Sequence, residues 1–129
     1  MKVIIVMIGG FLGALCRYLV GMWLYNGNGF PIGTLVVNLI GCLFLGWFLS
    51  SAMHPKRINA NLVLLIGTGF TGSFTTFSTF SVEVVQLVQV GRNGLALLYI
   101  TSSIGFGLML AYVGYSLARL KKVEMGQLS

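Results

Sequence analysis

The stretch Gly67-Thr68-Gly69-Phe70-Thr71-Gly72-Ser73-Phe74-Thr75-Thr76-Phe77-Ser78-Thr79-Phe80-Ser81 decides how this chain is read. It lies inside a long apolar segment, Leu62 to Val90, yet carries glycines and hydroxyl side chains where a lipid-facing helix would be aliphatic. At roughly 29 residues, one straight helix would extend about 43 Å at 1.5 Å per residue, against a hydrocarbon core of about 30 Å. A broken helix is therefore expected, with the interruption at Gly72 to Thr75. Non-helical backbone survives at membrane depth only when it is buried in protein or lines a water-filled path.

The rest of the 129 residues supports a membrane setting. Hydrophobic residues make up 57% and charged residues only 8%, whereas soluble domains carry about 25% charged. The first apolar run, Val3 to Tyr25, follows Lys2. A signal peptide fits it poorly, because no small-residue cleavage site precedes a mature domain and Arg17 interrupts the run, so a retained helix is expected. Asn26-Gly27-Asn28-Gly29 reads as a turn, and Pro31 suits the first turn of a second helix reaching about Met53. The polar stretches His54-Pro55-Lys56-Arg57 and Gly91-Arg92-Asn93-Gly94 separate the remaining segments, and Leu95 to Ala118 forms the last. The expected fold is one all-α membrane domain, residues 1–129, with four transmembrane helices: 3–25, 32–53, 62–90 broken at 72–75, and 95–118. Trp23, Tyr25, Trp47, Phe48 and Tyr115 fall near helix ends, as an aromatic belt requires.

Composition also narrows function. The acidic residues are Glu83 and Glu124, the histidine is His54, and the cysteines, Cys16 and Cys42, sit within apolar runs as packing residues. No side-chain metal cluster or acid/base dyad can be assembled from these, so no enzyme is expected. The net charge of +6 lies at helix ends and in short connections, which favours membrane orientation over a nucleic-acid partner.

Several faces carry candidate chemistry. Gly9, Gly13, Arg17 and Gly21 recur every four residues, so they share a helix face that packs against protein. Arg17 costs at least about 2.5 kcal/mol in a bilayer unless it reaches water or a partner. It either snorkels or caps a neighbour, or it makes an electropositive vestibule. Asn38, mid-span, either bonds another helix or aims an amide N–H at a permeating anion. Tyr99, Ser103, Gly107, Ala111 and Tyr115 form a stripe with hydroxyls toward one end. Phe77 and Phe80 share a face, with Thr76, Ser78 and Thr79 around them. Two such rings can be plain core, but aromatic edges are electropositive, and beside an amide and hydroxyls they make a donor-rich path for a small, hard anion.

Three blocks, Gly10-Phe11-Leu12-Gly13-Ala14-Leu15-Cys16-Arg17-Tyr18, Pro31-Ile32-Gly33-Thr34-Leu35-Val36-Val37-Asn38-Leu39-Ile40-Gly41 and Gly69 to Ser81, resemble the bacterial fluoride channels of the Fluc (CrcB) family, in the family's order and spacing. The resemblance covers nearly the whole chain. It implies a fluoride-selective channel in the bacterial inner (plasma) membrane, exporting cytoplasmic fluoride passively and built as an antiparallel, dual-topology dimer with two pores. On that resemblance Asn38 is the pore amide, and Phe77 and Phe80 present ring edges to fluoride. Thr76, Ser78, Thr79, Tyr99 and Ser103 supply hydroxyls, and Arg17 matches the basic residue of the first block. The backbone carbonyls of Gly72 and Thr75 match a structural sodium (Na+) site at the dimer centre. Gly107 departs from the family pattern at the far end of the polar track.

With four spans, Lys2, Lys56, Arg57, Arg119, Lys121 and Lys122 share one side and Arg92 lies on the other. The positive-inside rule then favours cytoplasmic termini. Such a chain pairs either with itself or with an oppositely oriented homologue. Two other classes compete with the channel. A proton-coupled multidrug exporter needs an embedded carboxylate, for which Glu83 is the candidate, although its place near a helix end suits a mouth charge or a basic partner better. A non-transporting scaffold subunit would explain the glycine stripes but not the polar third segment.

Overall fold

The computed structural model describes residues 1–25, 27, 29–52 and 59–126, with side chains in the last helix as far as Leu120. Asn26, Asn28 and the His54-Pro55-Lys56-Arg57 stretch lie outside the described residues. Among the described residues the regular structure is helical: α1 (Lys2–Trp23), α2 (Ile32–Ala52), α3 (residues 60–74), α4 (Phe77–Gln89) and α5 (Asn93–Gly126). With α3 and α4 taken as one span, 4 spans are long and apolar enough to cross a membrane: Lys2–Trp23, Ile32–Ala52, Ala60–Gln89 and Asn93–Leu120. The last helix continues past Ala118, where the sequence reading ended its span, because Arg, Leu and Lys are good helix formers and no glycine intervenes before Gly126. Large apolar side chains such as Phe11, Met22, Leu97 and Leu108 are exposed, the arrangement expected of a chain whose solvent is lipid.

Close packing rests on glycine. A Cβ on Gly9 would strike the Leu65 carbonyl, and one on Gly13 the Phe70 carbonyl, so these two positions let α1 lie directly on the α3 backbone. Gly46 and Gly114 make equivalent approaches between α2 and α5, to the Ala111 and Leu43 carbonyls. Replacing Gly13 by alanine therefore forces α1 from α3, with an expected stability loss of about 1–3 kcal/mol. Gly94→Ala, which meets nothing within 4 Å, is the control expected to cause no loss, both being read as unfolding midpoints in detergent.

These contacts also set direction. Gly33 lies against Gly21, so α1 and α2 are antiparallel, whereas Gly46 against Ala111 and Gly107 against Cys42 make α2 and α5 parallel. The start of α1, the end of α2, the start of α3 and the end of α5 consequently share one side. On the other side a Cβ on Gly29 would come within 2.7 Å of Arg92 Nη1, which places the α1–α2 connection against the α4–α5 turn.

The α3 helix is wound unevenly. Val63–Thr71 forms i→i+5 turns, flanked by α-helical Ala60–Leu62 and Gly72–Phe74. The Thr71 hydroxyl donates to the Ile66 carbonyl five residues back (2.8 Å), in step with the wider turn. Thr75 (φ −78°, ψ 157°) and Thr76 (φ −149°, ψ 126°) are extended, and α4 starts at Phe77. The sequence reading centred its interruption on 72–75, but Gly72 to Phe74 are helical and the extended residues are Thr75 and Thr76. The local cause is capping: the Thr76 hydroxyl accepts the Thr79 N–H at 3.2 Å, which requires Thr76 to lie outside the helix it starts. The α4 helix ends in a Schellman turn, with Gly91 at φ 76°, its N–H donating to Val88 and that of Arg92 to Leu87.

Candidate functional site

Two extended residues within an apolar span release backbone groups that must find partners. Thr76 finds both on Asn38 of α2. The Asn38 amide donates to the Thr76 carbonyl (2.9 Å), and the Thr76 N–H donates to Asn38 Oδ1 (2.8 Å). In an unbroken helix that N–H would serve the Gly72 carbonyl, so the carboxamide takes the donor away from Gly72. Asn38 thus makes the interhelical bond that was one of its two sequence readings. A primary amide carries two N–H groups, so a second donor remains.

Around this point the hydroxyls gather. The Thr76 hydroxyl donates to Thr79 Oγ1 (3.0 Å), with Ser78 Oγ at 3.4 Å. Thr75 turns the other way: its hydroxyl donates to the Thr71 carbonyl (2.9 Å), and its methyl fills the space over Gly41. The Phe77 and Phe80 rings are 5.9 Å apart at 36°. Phe80 packs on Tyr99 with centroids at 4.9 Å, whereas Phe77 is 79% exposed.

Tyr99 is fully buried and meets the Phe30 ring edge-on at 5.5 Å. Its hydroxyl donates to Glu83 Oε2 (2.8 Å), and Thr34 donates to Glu83 Oε1 (2.7 Å). The carboxylate is held by hydroxyls from α2 and α5, a grouping that sequence reasoning missed. A signal was available: a carboxylate within a span requires donors, and Glu83 follows Thr79 by four residues, so both lie on one face of α4. Tyr99→Phe keeps the ring contacts with Phe30 and Phe80 and removes the hydrogen bond to Glu83, with an expected loss of about 0.5–1.5 kcal/mol, read as a lowered unfolding midpoint.

Two clefts connect these groups. One, of ≈ 440 Å³, is lined by Arg17, Val37, Thr76 and Thr79; the other, of ≈ 580 Å³, by Glu83, Gln86 and Arg92. Both include Thr34, Gly33, Gly21 and Tyr25, so they adjoin. The structure thus brings Arg17, Thr76 and Thr79 to one cleft and leaves Phe77 on the outer surface. Ser103, one turn beyond Tyr99, has a buried Oγ without a hydrogen-bond partner. Gly107 packs against the Cys42 sulfur, 3.5 Å from where its Cβ would be.

This arrangement occurs in a sequence with clear relatives. The family model described as CrcB-like protein, Camphor Resistance (CrcB), matches residues 4–115. The chain is 48% identical to the fluoride-specific ion channel FluC of Oceanobacillus iheyensis, over 95% of this chain and 95% of that protein. It is 47% identical to FluC 1 of a Bacillus cereus strain, covering 88% and 81%, and 40% identical to FluC of Chlorobium phaeobacteroides, covering 87% and 88%. With its four apolar spans and a match over most of its length, this multi-pass membrane chain belongs to the CrcB family.

Proposed function

We propose that this chain forms a fluoride-selective channel through which cytoplasmic fluoride leaves the cell passively. The observation that carries this reading is the 48% identity, over nearly the whole of both chains, to a protein named as a fluoride-specific ion channel. The site agrees in its chemistry. A strongly hydrated anion exchanges water for N–H, O–H and ring-edge donors; hydroxyls of Thr76, Thr79 and Thr34 line the clefts that lead to the mouth at Glu83 and Arg92, and Asn38 is bonded to the Thr76 backbone beside them. Arg17 in the inner cleft supplies the positive field that draws an anion in. Ser78, Tyr99 and Ser103 complete the hydroxyl set, and the buried, unbonded Ser103 Oγ is free to bond an ion or water.

The functional unit in this reading is an antiparallel dimer with two pores. One chain leaves Phe77 79% exposed, so this ring acts on fluoride only when a second chain covers it. Two opposed copies supply the inverted repeat absent within one sequence, with the extended residues of each meeting near the bilayer midplane. The Gly72 and Thr75 carbonyls suit a sodium ion there. Asn38 has taken the helical donor of the first, and extended backbone carries the second out of the helix; both are hard oxygen donors. Bound sodium would supply a fixed positive charge at the centre of the dimer.

Purified protein in liposomes loaded with potassium fluoride should release fluoride once valinomycin is added, as read by a fluoride electrode, and should retain chloride. Loss of both anions would remove the selectivity. Retention of fluoride by verified antiparallel dimers would remove the channel. The exporter reading predicts proton-coupled movement of organic cations instead, and the relatives are named as ion channels.

A further inference from the structure

We propose that the exposed face of α5 toward its C-terminal end binds an anionic phospholipid, with the phosphate at Arg119 and the acyl chains along Leu108 and Ile104. Ile104, Leu108, Tyr112, Tyr115 and Arg119 follow one another at three- and four-residue steps, so they form one stripe along the helix, and all of them are exposed. The helix runs on to Gly126, so position 122 continues the stripe with a lysine. None of these residues lines either cleft, which sets the stripe apart from the anion route. Along it the chemistry is apolar, then phenolic, then cationic. That is the order of a phospholipid from its tails through the glycerol esters to the phosphate. Length agrees too, because Ile104 to Arg119 is about 22 Å of helix, half of the roughly 40–45 Å of a bilayer with its headgroups.

The polar end of the stripe is arranged for an anion. Tyr112 and Tyr115 have ring centroids 6.5 Å apart at 34°, and the Arg119 guanidinium lies over the Tyr115 ring, 5.6 Å from its centroid. Stacking steadies the long side chain without engaging its N–H groups, and Arg119 has no hydrogen bond or ion pair among the described residues. Charge selects the occupant. The last turns of α5 carry Arg119, Lys121 and Lys122 against Glu124, so a headgroup of net negative charge is favoured over a zwitterion, whose ammonium would meet the same cations. A second copy of this chain has no comparable anion to place there, since Glu83 is held by Thr34 and by Tyr99 near the start of α5.

The test is native mass spectrometry of the full chain in mild detergent, with equal amounts of phosphatidylglycerol and phosphatidylcholine of matched acyl chains. The unaltered chain is expected to retain phosphatidylglycerol at least about fivefold over phosphatidylcholine. Equal retention overturns the proposal. Arg119→Gln combined with Lys122→Gln should abolish the preference, and a preference that survives both changes overturns the place assigned on α5. Lys2→Gln combined with Lys56→Gln removes the same charge outside α5 and should leave the preference intact; an equal fall there would reveal diffuse surface charge and overturn the site. Tyr115→Leu keeps every charge and should lower the preference about twofold to fivefold; no change overturns the bracing by the ring. Soluble glycerol 3-phosphate is expected not to displace the lipid, and displacement would make this a free-phosphate site. Cross-linking of Leu108→Cys to a second chain by a short bis-maleimide in membranes, absent from the unaltered chain with its Cys16 and Cys42, would put protein on the face and overturn the lipid.

Discussion

Replacing Asn38 by alanine is expected to lower fluoride efflux at least about 100-fold. The magnitude follows from what the carboxamide does. It satisfies both the N–H and the C=O of Thr76, a buried residue in extended backbone. Without it, two buried backbone groups lose their partners at about 1–3 kcal/mol each. Thr76 N–H then recovers a partner by returning to Gly72, which rewinds the helix across residues 75 and 76. Rewinding moves the Thr76 and Thr79 hydroxyls off the cleft they line with Arg17, and each 1.36 kcal/mol toward the rewound form costs about tenfold in rate. Asn38→Asp separates positioning from donation. Its carboxylate still accepts the Thr76 N–H but cannot donate to the Thr76 carbonyl, and it places negative charge beside an anion path. Efflux should be lost in both variants. Equal efflux from Asn38→Ala and the unaltered protein, measured in the potassium fluoride assay, would remove Asn38 from the site.

The second large effect is expected from Phe77→Ile, with fluoride efflux falling at least about tenfold while stability changes by no more than about 0.5 kcal/mol. The two expectations separate because Phe77 does little inside its own chain. Its ring is 79% exposed and touches Phe80 at 5.9 Å. Isoleucine preserves apolar bulk but has no electropositive ring edge to turn toward an anion. Phe80→Ile is a poorer probe, since Phe80 packs on the buried Tyr99 at 4.9 Å and its loss would also loosen the Tyr99–Glu83–Thr34 grouping. Dimer content by cross-linking and the unfolding midpoint should be followed beside efflux. Unchanged efflux from Phe77→Ile would leave the exposed ring as a lipid contact or an interface filler.

What the sequence determined by itself is whatever depends on neighbours along the chain. Hydropathy over windows of about 20 residues sets the spans, and four-residue spacing puts Gly9, Gly13 and Arg17 on one face before any fold is known. The excess of hydroxyls between Thr71 and Ser81 marks where an aliphatic helix fails. Tertiary structure decided the partners. Asn38 and Thr76 are 38 residues apart and meet only because Gly41 admits Thr75 against α2. The same packing confines the extended residues to Thr75, at the end of the 72–75 stretch that composition suggested, and Thr76, just beyond it, whose N–H the distant amide captures. Glu83 reads from sequence as a mouth charge or the partner of a basic residue. The structure adds two hydroxyl donors to it, because α2 and α5 converge on α4 and bring Thr34 and Tyr99 within 2.8 Å. Hydrogen-bond choice in a membrane span is settled by which donors come within about 3 Å, and that depends on how helices pack, which local periodicity does not encode.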